Sequence, residues 1–564
     1  SKNILIISPN NVFGNYISNV LPELGEESVP ETSMEYVLSE VLDNRYKYQN
    51  SYEQVTELLE KPTREFIERI KYKNSFEFIS LLDKFILYME NHYFKATDVK
   101  LTRLITIPAE FIEEQFRRFN RYPMRQRFET MTDYILDRMK VKYGFTVTTA
   151  ERNLLKKEIQ KMFTGNNDLQ VYKDFFGWIG KPEMFKTRKN HTLEYADLAP
   201  LAYLHMALDG NAACHRVKHL LIDEMQDYSP VQYKVIQKLY PCRKTILGDA
   251  CQSVNPYGSS TADMIRKAFV TGEVMKLCKS YRSTFEITDF AQKIQTNDEL
   301  EPVMRHGEHP AILQFTDPGE EIAGIAGLLS IFKASNHKSL GIICKTEEQA
   351  KEMTEKLKTY TDGIYFLSNQ SSAFAKGIIV TSAHMAKGLE FENVFIVGME
   401  EDLFPAQQSA YTPAALEEER RLFYVALTRA EKRVIMTYSS SRYKNGNVVY
   451  PQPSRFIAEI NPVYLEGFFT PTRSSADRKL NVPGRMERMA KPTLAPQPRV
   501  DIPEMDTSKL QPISGNSVIP GMVIYHPSFG AGKVIALDGL GVNKKAKVLF
   551  SKHGQKVLLL KFAK

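Results

Sequence analysis

The run His219-Leu220-Leu221-Ile222-Asp223-Glu224-Met225-Gln226-Asp227 decides how the chain is read. A short apolar strand stops at two adjacent carboxylates. In an open α/β sheet the ligand crevice lies beyond the carboxyl ends of the strands. Paired carboxylates there suit a magnesium ion and a water: one binds the cation, the other takes a proton. The plainer alternative is a polar strand end and a helix cap. Four further blocks, all C-terminal to Asp227, favour the chemical reading.

Leu247-Gly248-Asp249-Ala250-Cys251-Gln252-Ser253 repeats the grammar, a strand ending in Gly and Asp with a glutamine shortly after. Gln252 is an uncharged hydrogen-bonder able to sense a terminal phosphate. Lys279-Ser280-Tyr281-Arg282-Ser283-Thr284 comes after the next strand-like run. Tyr281 offers a flat face for a base, and Arg282 a planar fork for phosphate oxygens. Thr381-Ser-Ala-His384-Met-Ala-Lys387-Gly388-Leu389-Glu390-Phe391 combines a cation, a glycine and a carboxylate between two strands. Such a loop can bridge a nucleotide and a polymer track. Ala415 to Arg433 reads as one long helix, with Leu422, Val425, Ala426 and Arg429 on one stripe. A charge that ends an apolar stripe needs a partner, a phosphate or a neighbouring carboxylate.

Around these blocks the chain alternates strand and helix from Val217 to Tyr464. Expected strands include His219–Ile222, Lys244–Leu247, Val274–Cys278, Ile312–Phe315, Leu340–Cys344, Gly377–Thr381 and Val394–Val397. Helices are expected at Pro230–Leu239, Glu320–Ala334 and Glu347–Tyr360. Alternation of this kind predicts parallel sheets covered by helices, an α/β fold. Lys2–Ser8 is a further β-rich run, stopped by Pro9-Asn10, and Asn11–Leu21 a candidate helix. Residues 35–208 show helical periodicity with few glycines, a helical insertion. Residues 467–514 are rich in Pro, Arg, Ser and Thr and read as a linker. Residues 515–564 return to short β runs, a small barrel.

Composition bounds the alternatives. The 564 residues are 43% hydrophobic and 25% charged, and 32 Phe and 28 Tyr exclude a wholly disordered chain. No apolar run approaches the ~20 residues that cross a bilayer, so no membrane partner is expected. Five scattered cysteines form no CxxC pair, which argues against a zinc ribbon or a disulfide framework. A cytoplasmic setting is the default. A net charge of +7 permits a polyanionic partner without demanding one.

The five blocks, in this order, resemble motifs II to VI of the superfamily 1A helicases, the UvrD/Rep/PcrA group. Glu419-Arg420-Arg421-Leu-Phe-Tyr424-Val-Ala-Leu-Thr428-Arg429-Ala is the most specific of them. The resemblance implies a bacterial-type ATPase built from two RecA-like P-loop NTPase domains. Residues 1–34 and 209–278 would form the first domain and 279–466 the second. Residues 35–208 would be a 1B-like insertion, and 515–564 a Tudor-like barrel. It further implies ATP and Mg²⁺ as nucleotide and cofactor, with Asp223 as metal ligand beside Glu224, the general base. Gln252 would contact the γ-phosphate, Tyr281 would stack on adenine, and Glu390 would approach the ribose. Arg282 and Arg429 would be arginine fingers. Tyr257, His384 and Lys387 would face nucleic acid.

Four departures qualify this resemblance. No G-x-x-x-x-G-K-[ST] phosphate loop precedes the first block; Gly530-Ala-Gly532-Lys533 has the wrong flanks. With Ser rather than Met at position 1, the chain is expected to be the C-terminal portion of something longer, and to bind ATP poorly alone. The Ile4–Gly25 segment looks like that of HelD-type proteins, which include RNA-polymerase-recycling ATPases. Val254-Asn-Pro-Tyr257 leaves only Tyr257 to stack on a single strand. About 100 residues separate Arg282 from Thr381, too few for the large 2B domain of UvrD-type helicases. The expectation is a HelD-like motor that engages core RNA polymerase through the insertion and the barrel. The alternatives are a conventional 3′–5′ single-strand-translocating DNA helicase of the UvrD/PcrA type and, if the phosphate loop is truly absent, a non-catalytic docking module; a DNA or RNA single strand is a further candidate partner.

Overall fold

A computed structural model describes residues 3–9, 29–60, 63–144, 146–210, 214–249, 252, 265–266, 269, 272–297, 299–368, 377–407, 409, 413–444, 447–468, 518–519, 521–526, 530–538, 545–550 and 554–559. The expected helix at Asn11–Leu21 and nearly all of the expected linker lie outside these residues, as does Tyr257.

The first sheet is wholly parallel. Its strands are β1 (Ile4–Ser8), β2 (Glu31–Ser33), β3 (His219–Ile222) and β4 (Arg243–Ile246), in the order β2-β1-β3-β4. The carboxyl ends of β3 and β4 therefore lie side by side, with Ile222 opposite Ile246. Asp223 and Gly248 continue the chain on the same edge. The expected strand at Val274–Cys278 does not form. Met275 and Leu277 there are 86% and 88% exposed. Pairing begins only at its end: the Cys278 carbonyl accepts the Glu301 amide at 2.6 Å, and Lys279–Ser280 runs parallel to Glu301–Pro302. Its apolar content reads as a strand, yet the ladder starts one residue beyond it.

Between β2 and β3 the chain forms helices α1 (Met34–Val41), α2 (Ser51–Glu60), α3 (Arg64–Lys73), α4 (Phe76–His92), α5 (Ala109–Arg118), α6 (Arg127–Tyr143), α7 (Thr149–Lys161), α8 (Asp168–Trp178) and α9 (Tyr195–Leu208). Their starts are written in the sequence. Thr148 and Glu151 form a reciprocal capping box at α7, and Ser33, Thr63, Ser75 and Asn167 cap four others. α9 is buried on nearly every face, so it must have neighbours on all sides. It packs on α1, α3, α4 and α8 of the insertion and on α10 (Pro230–Leu239), the helix after β3. One apolar core consequently runs from Phe78, Phe85 and Phe175 through Leu201 and Leu204 to Leu220, Ile222 and Val235. The insertion and the first sheet are one packed body.

A charge cluster is buried in that body. The Lys73 ammonium lies 2.9 Å from Glu194 and 2.6 Å from Asp197, and Arg69 binds Glu194 at 2.6 Å. All four are buried. Breaking such a cluster strands a carboxylate without water. Lys73→Met should therefore destabilise this body by about 3–5 kcal/mol, read as a lower urea midpoint of its unfolding transition. An unchanged midpoint would mean that Arg69 alone neutralises both acids.

The second sheet carries β5 (Ala311–Phe315), β6 (Leu340–Cys344), β7 (Ile364–Phe366), β8 (Ile378–Ser382), β9 (Phe391–Ile396), β10 (Ala430–Ser439) and β11 (Glu466–Phe468). All neighbours are parallel, in the order β7-β8-β6-β9-β10-β5-β11. β6 and β8 are buried at every residue, as a sheet covered on both faces requires. The covering helices include α11 (Phe285–Ile294), α12 (Pro318–Ala334), α13 (Glu347–Leu357) and α14 (Pro413–Leu427). α14 ends at Leu427, six residues short of the expected Arg433. The helical spacing of Leu422, Val425, Ala426 and Arg429 runs on into β10, where pairing with β9 and β5 overrides it.

The C-terminal residues form a separate unit. There β12 (Val523–His526), β13 (Gly530–Asp538), β14 (Lys545–Phe550) and β15 (Gly554–Leu559) make an antiparallel meander over Val534, Ala546, Val548 and Phe550.

Candidate active site

The carboxyl ends of β3 and β4 bring two loops into contact. Glu224 takes a left-handed backbone conformation, φ +53°, uncommon for a residue with a side chain. Its amide donates to Asp223 Oδ1 at 2.9 Å. The Met225 amide donates to the Leu247 carbonyl at 2.8 Å, tying the two strand ends together. Gly248 lies so close that an added Cβ would stand 2.6 Å from the Met225 nitrogen. A glycine is required there by approach of backbone to backbone.

Three carboxylates gather at this edge: Asp223, Glu224 and Asp227. Burial, then the charge of Glu224, pushes the Asp223 carboxyl up to about 6. Asp227 is raised as well, chiefly by burial. The second half of the chain answers with a cation. Lys387, itself buried, reaches Asp227 at 2.7 and 2.8 Å and Glu224 at 3.3 Å. It sits in the turn after β8, which Gly388 completes at φ +80°. The adjacent carboxylates of Asp223 and Glu224 present hard oxygen donors between Lys387 and the Arg429 guanidinium, which feels the Glu224 charge. That donor set fits Mg²⁺. Asp223 and Glu224 are the residues that would hold it.

Arg429 enters from the second sheet. It lies between α14 and β10, 1% exposed. Its Nε donates to the Val425 carbonyl at 3.1 Å, and Nη2 donates to Thr428 Oγ1 and to Gln252 Oε1. Burial, and the nearby Arg282, push its guanidinium down to about 10, still charged at neutral pH. Arg282 and Glu390 pair with each other, Nε to Oε1 at 2.6 Å. Tyr281 is 70% exposed, its ring open to solvent. His384 is half-buried at the start of the Lys387 turn.

The structure thus brings Asp223, Glu224, Gln252, Lys387, Glu390, Arg282 and Arg429 together where the two parallel sheets meet. Lys387, expected to face nucleic acid, is paired here with the acids of the first sheet. Gln226 also belongs here through Glu224 and Asp249, and a further buried ion pair lies in the second sheet's body; the sequence motifs assign a role to neither Gln226 nor Lys345. Lys345 directly succeeds β6 and meets Glu419 at 2.6 Å, both buried. The signal that could have found it is the same as for Asp223, a charge at the end of a fully apolar strand.

Comparison with known proteins bears on the domains that carry these residues. Residues 60–268 match the UvrD/REP helicase N-terminal domain, and residues 364–441 match the UvrD-like helicase C-terminal domain. The chain carries UvrD/PcrA-like superfamily 1 helicase domains. It is 28% identical over 321 residues to the ATP-dependent DNA helicase PcrA of Leuconostoc citreum, covering 56% of this chain and 40% of that protein. It is 36% identical over 196 residues to DNA helicase II of Salmonella typhimurium, covering 35% and 24%, and 35% identical over 195 residues to that of Escherichia coli, again 35% and 24%. The chain spans less than half the length of these curated relatives. No helix among the described residues is long and apolar enough to cross a membrane.

Proposed function

We propose that the chain is the motor of an ATP-driven superfamily 1 translocase. One observation carries this reading: acids from one parallel sheet and a buried arginine from a second come together where the two sheets meet. In this reading Mg²⁺ supplies charge stabilisation to the phosphates when bound. Asp223 holds it, and Glu224 accepts the proton of the attacking water. Gln252 and Arg429, which hydrogen-bond each other, would meet the terminal phosphate, and Tyr281 would offer its exposed ring to the base. Lys387 holds Asp227 and Glu224 from the second sheet, so a cation held by these acids would compete with it for their charge. Steady-state ATP hydrolysis by the gene's full product, with single-stranded DNA or core RNA polymerase added, tests the proposal. Absence of hydrolysis under all conditions would leave only a docking module.

The finer reading is a HelD-like remodeller of RNA polymerase complexes. The run from Arg282 to Thr381 supports it, because α11, β5, α12, β6, α13 and β7 are consumed in building and covering the second sheet. That leaves little chain for a 2B-type domain. Tight polymerase binding with little stimulation by DNA is the expected result. Strong stimulation by DNA alone would make the protein a conventional DNA helicase, as the names of its relatives suggest. The C-terminal meander is read as the docking module. Deleting residues 515–564 should leave basal ATPase within about twofold and weaken polymerase binding; a collapse of basal activity would make the meander structural.

A further inference from the structure

Gln226 belongs to none of the roles given so far, yet it is fully buried beside Glu224. Its two amide ends face different partners. Oε1 accepts the Asp249 amide N–H at 3.1 Å, a donor that cannot rotate away. Nε2 is thereby turned toward Glu224 and donates to its Oε2. The amide orientation is set by the network, since the backbone N–H admits only the oxygen. Asp249 Oδ2 in turn accepts from Gln252 Nε2 at 3.0 Å, and Gln252 Oε1 accepts from Arg429. A continuous hydrogen-bonded path runs from Glu224 to Arg429 through Gln226. Gly248 makes room for it: an added Cβ would press on Gln226 Oε1.

We infer that Gln226 is a positioning residue, aiming the Glu224 carboxylate and tying it to the loop that carries Gln252. The inference rests on the reading of Glu224 as the base. A left-handed residue such as Glu224 keeps its conformation only where its surroundings hold it. The Gln226 amide is the side-chain group that donates to its carboxylate from the same loop. Without that donor the carboxylate is left to Lys387.

The test is Gln226→Met, similar in length but without the amide, and Gln226→Glu, closest in shape but no longer a donor when ionised. Both are measured in the gene's full product. Turnover should fall roughly ten- to a hundredfold, as for a lost hydrogen bond to a charged group. Binding of a fluorescent ATP analogue, read without turnover, should change less than about threefold. In a Glu224→Gln background Gln226→Met should cost nothing further in single-turnover hydrolysis, because the group it aims is already gone. An equal loss in both backgrounds would show a merely structural role and overturn the inference. So would full activity in both variants. If Glu224→Gln alone keeps normal turnover, the base assignment fails first, and the two failures are told apart.

Discussion

Arg429→Ala should slow ATP hydrolysis by roughly 10³–10⁵-fold, the worth of an arginine that meets the transferred phosphoryl group. Nucleotide binding should weaken far less. Arg429 is 1% exposed and is fixed from behind by the Val425 carbonyl and Thr428. Its far edge is aimed at Gln252 on the other sheet. Such a group is pre-organised and fully desolvated, so its charge acts at high effective strength. Arg429→Lys separates charge from geometry. A lysine keeps the charge but loses the planar fork, and should recover only a small part of the rate. Steady-state turnover set beside equilibrium binding of a nucleotide analogue checks both. Parallel losses in binding and rate would show that Arg429 merely holds the ground state.

Glu224→Gln should lower turnover by roughly 10²–10⁴-fold, the usual contribution of a positioned general base. The substitution keeps the shape and removes the charge. Its effect on Asp223 has a definite sign. Asp223 is raised to about 6 first by burial and then by the Glu224 charge. Neutralising Glu224 removes the second cause, so the Asp223 carboxyl falls toward its ordinary range. Near pH 6 the more fully ionised Asp223 should then offset the loss of the Glu224 carboxylate, and Mg²⁺-nucleotide binding should stay close to the parent's. Turnover lost with binding retained is the expected pattern, measured by hydrolysis and by Mg²⁺-dependent nucleotide binding at about pH 6 and about pH 8. Normal turnover would remove Glu224 from the mechanism.

Much of the fold was legible because its signals are local. Short apolar runs that stop at Asp or Lys mark β3 and β6, and a β-rich run that stops at Gly-Asp marks β4. Capping residues mark the starts of α7, α10 and α13, each with a reciprocal box. The misreadings share one cause. Helical spacing carried α14 through Arg433, and apolar content drew a strand at Val274–Cys278. Both are local cues that pairing in the sheet decides against. The Gln226 amide was invisible for a related reason, since its partners are set by how two strand ends pack.

The sequence by itself determined the kind of chemistry and its order along the chain: carboxylates after β3, a glutamine after β4, a lysine after β8, an arginine after α14. These come from residue type beside a strand or helix end, which neighbours in sequence control. Only the tertiary structure decided which of them meet. Lys387 faces Asp227 across 160 positions, and Arg429 faces Gln252 across 177. It also decided that the helical insertion shares its core with the first sheet through α9. Partner choice over such separations depends on closing long loops and burying apolar faces together, and no short stretch of residues encodes that.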